Sequence, residues 1–276
     1  MGSARRRTTL PKTLIPIQQR AQRWSFINHF LFRYSGNNKM IKTNKVTLAV
    51  LATLFAGSVS AASLDFREEY KHDSEEWAGR VKIGGSTGNH YYGVEMKHKG
   101  NLSELQRGDN EFEYGYHFKF DNNWRVTTSM PITFGDEAVT YKPQVRVQYK
   151  FDSGVTTKLR YRHEFRNYAS GKTSTGLDGK QHDSLNAGKI TGNIDYNWNA
   201  WQFGFEANYK EDFFNDEWKM GNNGEYEWDY NMKIGYKEAD WSWRPYVEFG
   251  NVQCTSDTVC DSSRQLRSRV GITYSF

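Results

Sequence analysis

Counting back from the last residue, every second position is Phe276, Tyr274, Ile272, Val270, Ser268 and Leu266, apolar with one exception. The interleaved set is Ser275, Thr273, Gly271, Arg269, Arg267 and Gln265, all small or polar. A period of two is that of a β-strand whose two faces meet different surroundings. The same alternation runs through 112–120, 124–132, 141–151, 155–165, 190–198, 201–209, 226–236 and 243–249. Shorter rows open the series at 64–70, 81–83 and 92–96, which brings the expected strand count to twelve. In each row large aromatic and β-branched side chains hold one phase and polar or charged ones the other. No helix-period segment of useful length and no Gly/Ser linker interrupts residues 62–276.

The connections sharpen this pattern. Short turns are expected at 86–89, 121–123, 152–154, 197–200 and 237–240, alternating with long polar links at 100–110, 167–184, 211–224 and 254–260. Short turns on one side and long loops on the other, with Trp124, Trp198, Trp201 and Trp243 at row ends, are the marks of an outer-membrane barrel with interfacial aromatic girdles. One alternating strand alone fits a soluble β-sandwich equally well. A sandwich, however, has no reason to set aromatics against charge on every strand. The expected fold is therefore all-β, a transmembrane antiparallel β-barrel of about twelve strands in the bacterial outer membrane, its apolar rows against lipid and lipopolysaccharide.

The front of the chain has a different character. Residues 40–61 read as a signal peptide: Lys42 and Lys45, an apolar run at 46–55 too short to span a bilayer permanently, then Val59-Ser60-Ala61. Cleavage is expected before Ala62, or one residue later. Residues 1–39 precede a complete signal with its own Met and read as upstream sequence outside the functional protein. Removing both alters the charge. The net +5 of the whole chain becomes −5, because residues 1–61 hold ten Lys and Arg and no acid. Binding to nucleic acid, which a basic chain would suggest, is thereby excluded as an expectation.

The wet faces carry the candidate chemistry. Between 124 and 167, Arg125, Lys142, Arg146, Lys150, Lys158, Arg160, Arg162 and Arg166 point inward against one acid, Glu164. Arg267 and Arg269 join them from the last strand. Asp195, Glu206, Glu227, Asp229 and Glu248 lie inward on the later strands, with Lys210, Lys233 and Arg244 interspersed. The expectation is one cationic wall facing an anionic one. Inward residues recur about every 6.5–7 Å along a strand, a series of weak sites suited to an acidic sugar chain. Arg forks bind carboxylates bidentately and stay charged. Solvation of the lumen, or pairing across it, is the competing account of any single Arg. Cys254 and Cys260 share one short loop and are expected to pair, as in other exported proteins.

Three stretches carry a family resemblance: Ala62-Ser63-Leu64-Asp65-Phe66-Arg67-Glu68-Glu69-Tyr70, Leu159-Arg160-Tyr161-Arg162-His163-Glu164, and the ending Val270 to Phe276. They resemble the oligogalacturonate-specific monomeric porins of the KdgM family, to which the sialic-acid channel is related. The resemblance spans essentially all of 62–276. It implies a narrow twelve-stranded, monomeric pore conducting acidic oligosaccharides past Arg67, Arg80, Lys82, Arg125, Arg146, Arg160, Arg162, Arg267 and Arg269. Oligogalacturonate is the expected cargo, with oligoalginate or sialic acid as alternatives. Tyr274 and Phe276 are the expected signal to the barrel-assembly machinery.

Other functions fit less well. A barrel enzyme needs a nucleophile beside a base. His163 lies on the outward phase, His117 faces inward without a nearby serine in its strand, and His182-Asp183-Ser184 sits in a loop. A plugged, structural barrel is disfavoured by inward Gly93, Gly115, Gly204 and Gly271, expected to leave open space. No metal, cofactor or catalytic residue is expected.

Overall fold

Within a bilayer no water is at hand for a strand edge, so alternating strands that span it must pair until the last meets the first. The computed structural model, which describes residues 61–221, 224–254 and 263–276, does this. Of the expected leader, 1–39 and the 40–61 signal, all but Ala61 lies outside the described residues. The strands are β1 (Ala61–Lys71), β2 (Glu76–Thr87), β3 (His90–Lys99), β4 (Gln106–Lys119), β5 (Trp124–Phe134), β6 (Ala138–Tyr141), β7 (Gln144–Lys150) and β8 (Val155–Tyr168). There follow β9 (Ser174–Thr175), β10 (Gln181–His182), β11 (Ser184–Trp198), β12 (Trp201–Glu211), β13 (Tyr226–Tyr236), β14 (Trp243–Gln253) and β15 (Arg264–Ser275). No helix occurs among the described residues.

β6 and β7 are two pieces of one stave, broken at Lys142-Pro143, and β9 and β10 form a small hairpin in a loop. The remaining strands give twelve staves, each antiparallel to its neighbours. β15 pairs with β1 from Ser63–Ser275 to Lys71–Arg267, closing the ring between residues some two hundred positions apart. The Phe276 and Ala62 backbones exchange two 3.0 Å hydrogen bonds at this seam. Pro143 explains the broken stave: it has no N–H to donate, although its carbonyl still accepts from His163 at 3.0 Å.

Turn chemistry matches the short side. Gly88 and Gly154 take positive φ of 59° and 87°, and Asn199 takes 51°, in links of only a few residues. Asp121 accepts from the backbone N–H of Asn123 and Trp124 at 2.8 and 2.6 Å, which fixes the β4–β5 turn. One expected loop is shorter than its polarity suggested. β4 begins at Gln106, so the link expected over 100–110 contracts, because ladder pairing to β3 tolerates the polar run Gln106–Asn110.

Burial is inverted relative to a soluble domain. Leu159, Met232 and Val270 are 61, 57 and 59% exposed, on the phase read as lipid-facing. Paired aromatics gather at both ends of the staves. Trp124–Tyr149, Trp201–Tyr236 and Trp243–Tyr274–Phe276 lie at the short-turn end, and Tyr70–Trp77 and Tyr209–Tyr226 at the other.

The two faces should respond differently to charge. Leu159→Arg is expected to cost about 2–4 kcal/mol in reversible unfolding from lipid vesicles. Thr156→Lys, on the other face of the same strand, is expected to cost less than about 1 kcal/mol.

A charged lumen as the candidate functional site

In a ring of twelve staves, each faces the sixth one beyond it. β15 therefore stands across from the β6/β7 stave, and β1 across from β8. This places Arg267, Arg269 and Arg67 opposite Arg146, Arg160 and Arg162. Together with Arg80, Lys82 and Lys142, these residues border one cavity of about 520 Å³ within the barrel. Arg125, Lys158, Arg166 and Arg244 share the inward phase but do not border it. Lys97 and Lys189, not singled out from the sequence, do border it. Their phase, shared with Glu95 and Thr191, was the signal that could have found them.

The expected division into one cationic and one anionic wall is therefore corrected. Cations occupy two facing walls. Acids fill both flanks: Glu95, Glu111 and Glu113 on β3 and β4, and Asp195, Glu206, Asp229 and Glu248 on β11 to β14. The acids of β3 and β4 share the inward phase of Gly93 and Gly115, and that phase is the sequence signal that marks them.

Many cations are paired. Arg80 reaches Asp65 at 2.7 Å and Glu95 at 3.3 Å, while Lys82 lies 3.9 and 3.8 Å from Glu95 and Glu113. Lys142 pairs with Glu111 at 2.9 Å and Lys158 with Asp195 at 2.6 Å. Glu164 receives Lys210 at 2.9 Å and Arg162 at 3.9 Å. Glu69 holds Arg269 at 2.6 Å and Arg267 at 3.8 Å, and Arg269 also binds Glu248.

Others have no carboxylate within 4.0 Å among the described residues: Arg67, Arg125, Arg146, Arg160, Arg166, Lys189 and Arg244. Arg160 donates to Thr191 at 2.8 Å and Arg125 to Gln148 at 2.6 Å. Arg146 and Arg160 are register partners on β7 and β8, as are Arg67 and Arg80 on β1 and β2. Like charges directly opposite repel. A carboxylate placed between them relieves that repulsion.

Two of the inward glycines expected to leave open space are occupied instead. A Cβ at Gly115 would meet the Tyr91 ring at 2.3 Å, and one at Gly271 the Tyr246 ring at 2.4 Å. Both tyrosines lie across the inner wall in notches that only glycine provides.

The link between β12 and β13 straddles the rim. Outside the barrel, Phe213 covers Gly188, where a Cβ would fall 2.2 Å from its ring, and Phe214 packs on His163 at 5.4 Å. On the lumen side, Trp218 is 8% exposed against Leu185, Ala187 and Met220, with Lys210 and Arg166 over its ring at 4.3 and 4.8 Å. Asp212 fixes the bend by accepting from the backbone N–H of Phe214, Asn215, Glu217 and Trp218 at 3.0 to 3.3 Å. The β9–β10 hairpin docks on this strap: Leu177 N–H donates to the Glu217 carbonyl at 2.8 Å. His182 stands between Asp178 at 2.9 Å and Glu217 at 3.7 Å. Both its ring nitrogens are thus engaged, and a dyad with Ser184 is not formed. His163 packs outward on Phe165, and His117 bonds the Thr127 hydroxyl at 2.9 Å.

At the seam, Tyr274 and Phe276 stack at 5.5 Å. Cys254 is buried and is not a free thiol; its expected partner, Cys260, lies outside the described residues.

A closed, antiparallel twelve-stave barrel, apolar outside and charged within, is the architecture of an outer-membrane channel. Residues 55–276 match the family model described as oligogalacturonate-specific porin protein (KdgM), and the chain belongs to that family. It is 29% identical over 251 residues to the oligogalacturonate-specific porin KdgM of Dickeya dadantii (strain 3937), covering 86% of this chain and all of that one. The structure of a KdgM porin in complex with disordered oligogalacturonate superposes with a TM-score of 0.56 at 27% identity, over 78% of this chain and 99% of that one. The NanC porin shares the fold, with a TM-score of 0.65 at 19% identity over 76% of this chain and 98% of that one.

The clasp on the strap titrates. The hydrogen bond to Asp178 raises the His182 imidazole above its ordinary value, and that same bond lowers the Asp178 carboxyl. The stabilisation from the histidine is complete below about pH 6.5 and is lost as pH rises through the raised pKa. That from the aspartate is complete above about pH 3.9 and is lost as pH falls through the lowered pKa. Protease nicking within 212–221 is therefore expected to be slowest near pH 5 and faster at pH 8, with His182→Gln abolishing the difference. Trp218→Ala should accelerate nicking about a hundredfold at either pH, the consequence of losing roughly 3 kcal/mol of buried ring.

Proposed function

We propose that this porin conducts acidic, uronate-type oligosaccharides, oligogalacturonate first among them, along the two cationic walls of its lumen. The observation that carries the reading is the Arg146–Arg160 pair: cross-strand neighbours, neither bonded to a carboxylate, facing Arg67 across one cavity. Carboxylates spaced along a sugar chain would step between Arg67, Arg80, Lys82, Lys142, Arg146, Arg160, Arg162, Arg267 and Arg269. Arg125, Lys158, Arg166 and Arg244 would attract them toward either end. Flanking acids hold the paired cations in place, so binding stays weak enough for release. The relatives named for oligogalacturonate support this choice of cargo over oligoalginate or sialic acid.

The same reading includes export by the 40–61 signal, with loss of 1–61, a disulfide between Cys254 and Cys260, and assembly through Tyr274 and Phe276. It also takes the porin as a monomer. Intact-mass measurement of the purified protein tests the first two.

Single-channel recording in planar bilayers tests the function. The native pore should prefer anions and show transient blockades by oligogalacturonate. Arg146→Gln with Arg160→Gln should weaken blockade about 10- to 100-fold, as expected for lost charge-assisted hydrogen bonds. A native pore that prefers cations, or that no acidic oligosaccharide blocks, would overturn the proposal.

A further inference from the structure

Charge alone does not tell a sugar acid from any other carboxylate, and one feature of the inner wall answers to the sugar itself. Tyr91, on β3, extends its ring over Gly115, where no other residue leaves room. The ring lies parallel to that of His117, 11° between planes and 4.7 Å between centroids. Its hydroxyl donates to Glu113 at 2.9 Å, and Glu113 also accepts from Ser129 at 2.9 Å and Gln144 at 3.0 Å. His117 is held in turn by Thr127 at 2.9 Å. Every edge of the pair is thus tied down.

Tyr91 borders a second cavity, of about 510 Å³, at the end of the lumen where Ser275 and Phe276 lie. Tyr91 lines this cavity together with Lys82, Glu113 and Arg146, whereas His117 does not. His117 therefore backs the ring and Tyr91 is the member that the lumen meets. Tyr246 supplies a comparison within the same wall. It fills the notch at Gly271 in the same manner, but Lys233 sits 3.6 Å above its ring and its hydroxyl bonds Asp65. That ring is already occupied by a cation, whereas no Lys or Arg among the described residues sits over the Tyr91 ring.

We infer that Tyr91, backed by His117, is a stacking subsite for the pyranose ring of an acidic saccharide, with Lys82 and Arg146 taking its carboxylate. The inference rests on the proposed cargo and adds how the pore tells sugar from simple anions. An aromatic face is electron-rich, and the C–H groups on one face of a pyranose carry partial positive charge, so the two attract as aromatic edges do. A rigid, preorganised ring gives this contact at little entropic cost. Its position near the short-turn end makes it the last site before release on that side.

The test compares two blockers in single-channel recordings: trigalacturonate and a sugar-free tricarboxylate of equal charge. The quantity read is the ratio of their dwell times. Tyr91→Leu should lower that ratio about 3- to 10-fold, the range of one aromatic contact. Tyr91→Phe, which keeps the ring and loses the hydroxyl, should preserve it. Should Tyr91→Leu fail to assemble, Gly115→Ala displaces the same ring and carries the same expectation. Arg146→Gln should shorten both dwells alike, which separates the platform from the cationic walls. An unchanged ratio in Tyr91→Leu, or an equal fall in Tyr91→Phe, overturns the subsite and leaves the cargo standing. A native pore blocked by neither compound overturns both.

Discussion

Everything in this molecule depends on the seam between β1 and β15. A strand crossing hydrocarbon must bond every backbone N–H and C=O to a neighbour, since no water is present to take the place of a missing partner. Eleven hairpin-like contacts leave two edges, and only closure removes them. Closure brings residues near 65 beside residues near 272, a long loop to form before any contact compensates for it. It also fixes which staves face each other, and hence which charges meet across the lumen.

From this follows the inverted distribution of side chains. The outer phase carries Leu159, Val270 and the aromatic rows, and the inner phase carries nearly all the charge. Inside, the charges are arranged as alternating sectors, two cationic walls with an acidic flank on either side. Pairing at the sector boundaries holds about half of the inward Arg and Lys side chains still. Among the contacts left over, Arg146 and Arg160 stand directly opposite each other as like charges. The same wall uses glycine in a second manner, as notches for Tyr91 and Tyr246. These rings stiffen the inner wall without narrowing it as a side chain standing upright would.

The rim strap shows a small conventional core serving a membrane protein. Leu185, Ala187, Trp218 and Met220 bury one another on the lumen side while Phe213 and Phe214 clasp the outer face. The wall is gripped between them. This segment read as a polar loop in sequence, because a packed loop and a solvated one have similar composition. Only the neighbours of Trp218 tell them apart.

The alternation of residues was enough, by itself, to establish twelve strands, their phase, the turn sides and the lipid-facing rows. A period of two is a local property, enforced at each residue by the pleat and by the contrast between lipid and water. What the tertiary structure decided was who meets whom. It set Arg67 across from Arg146 and Arg160, brought Glu95, Glu111 and Glu113 beside the cations, filled Gly115 and Gly271 with tyrosine, and turned Trp218 inward. Those outcomes depend on register and ring closure, which couple residues distant in the chain. The terminal Phe276 announced a membrane strand, and the place of that strand beside β1 gave Arg267 and Arg269 their opposite wall.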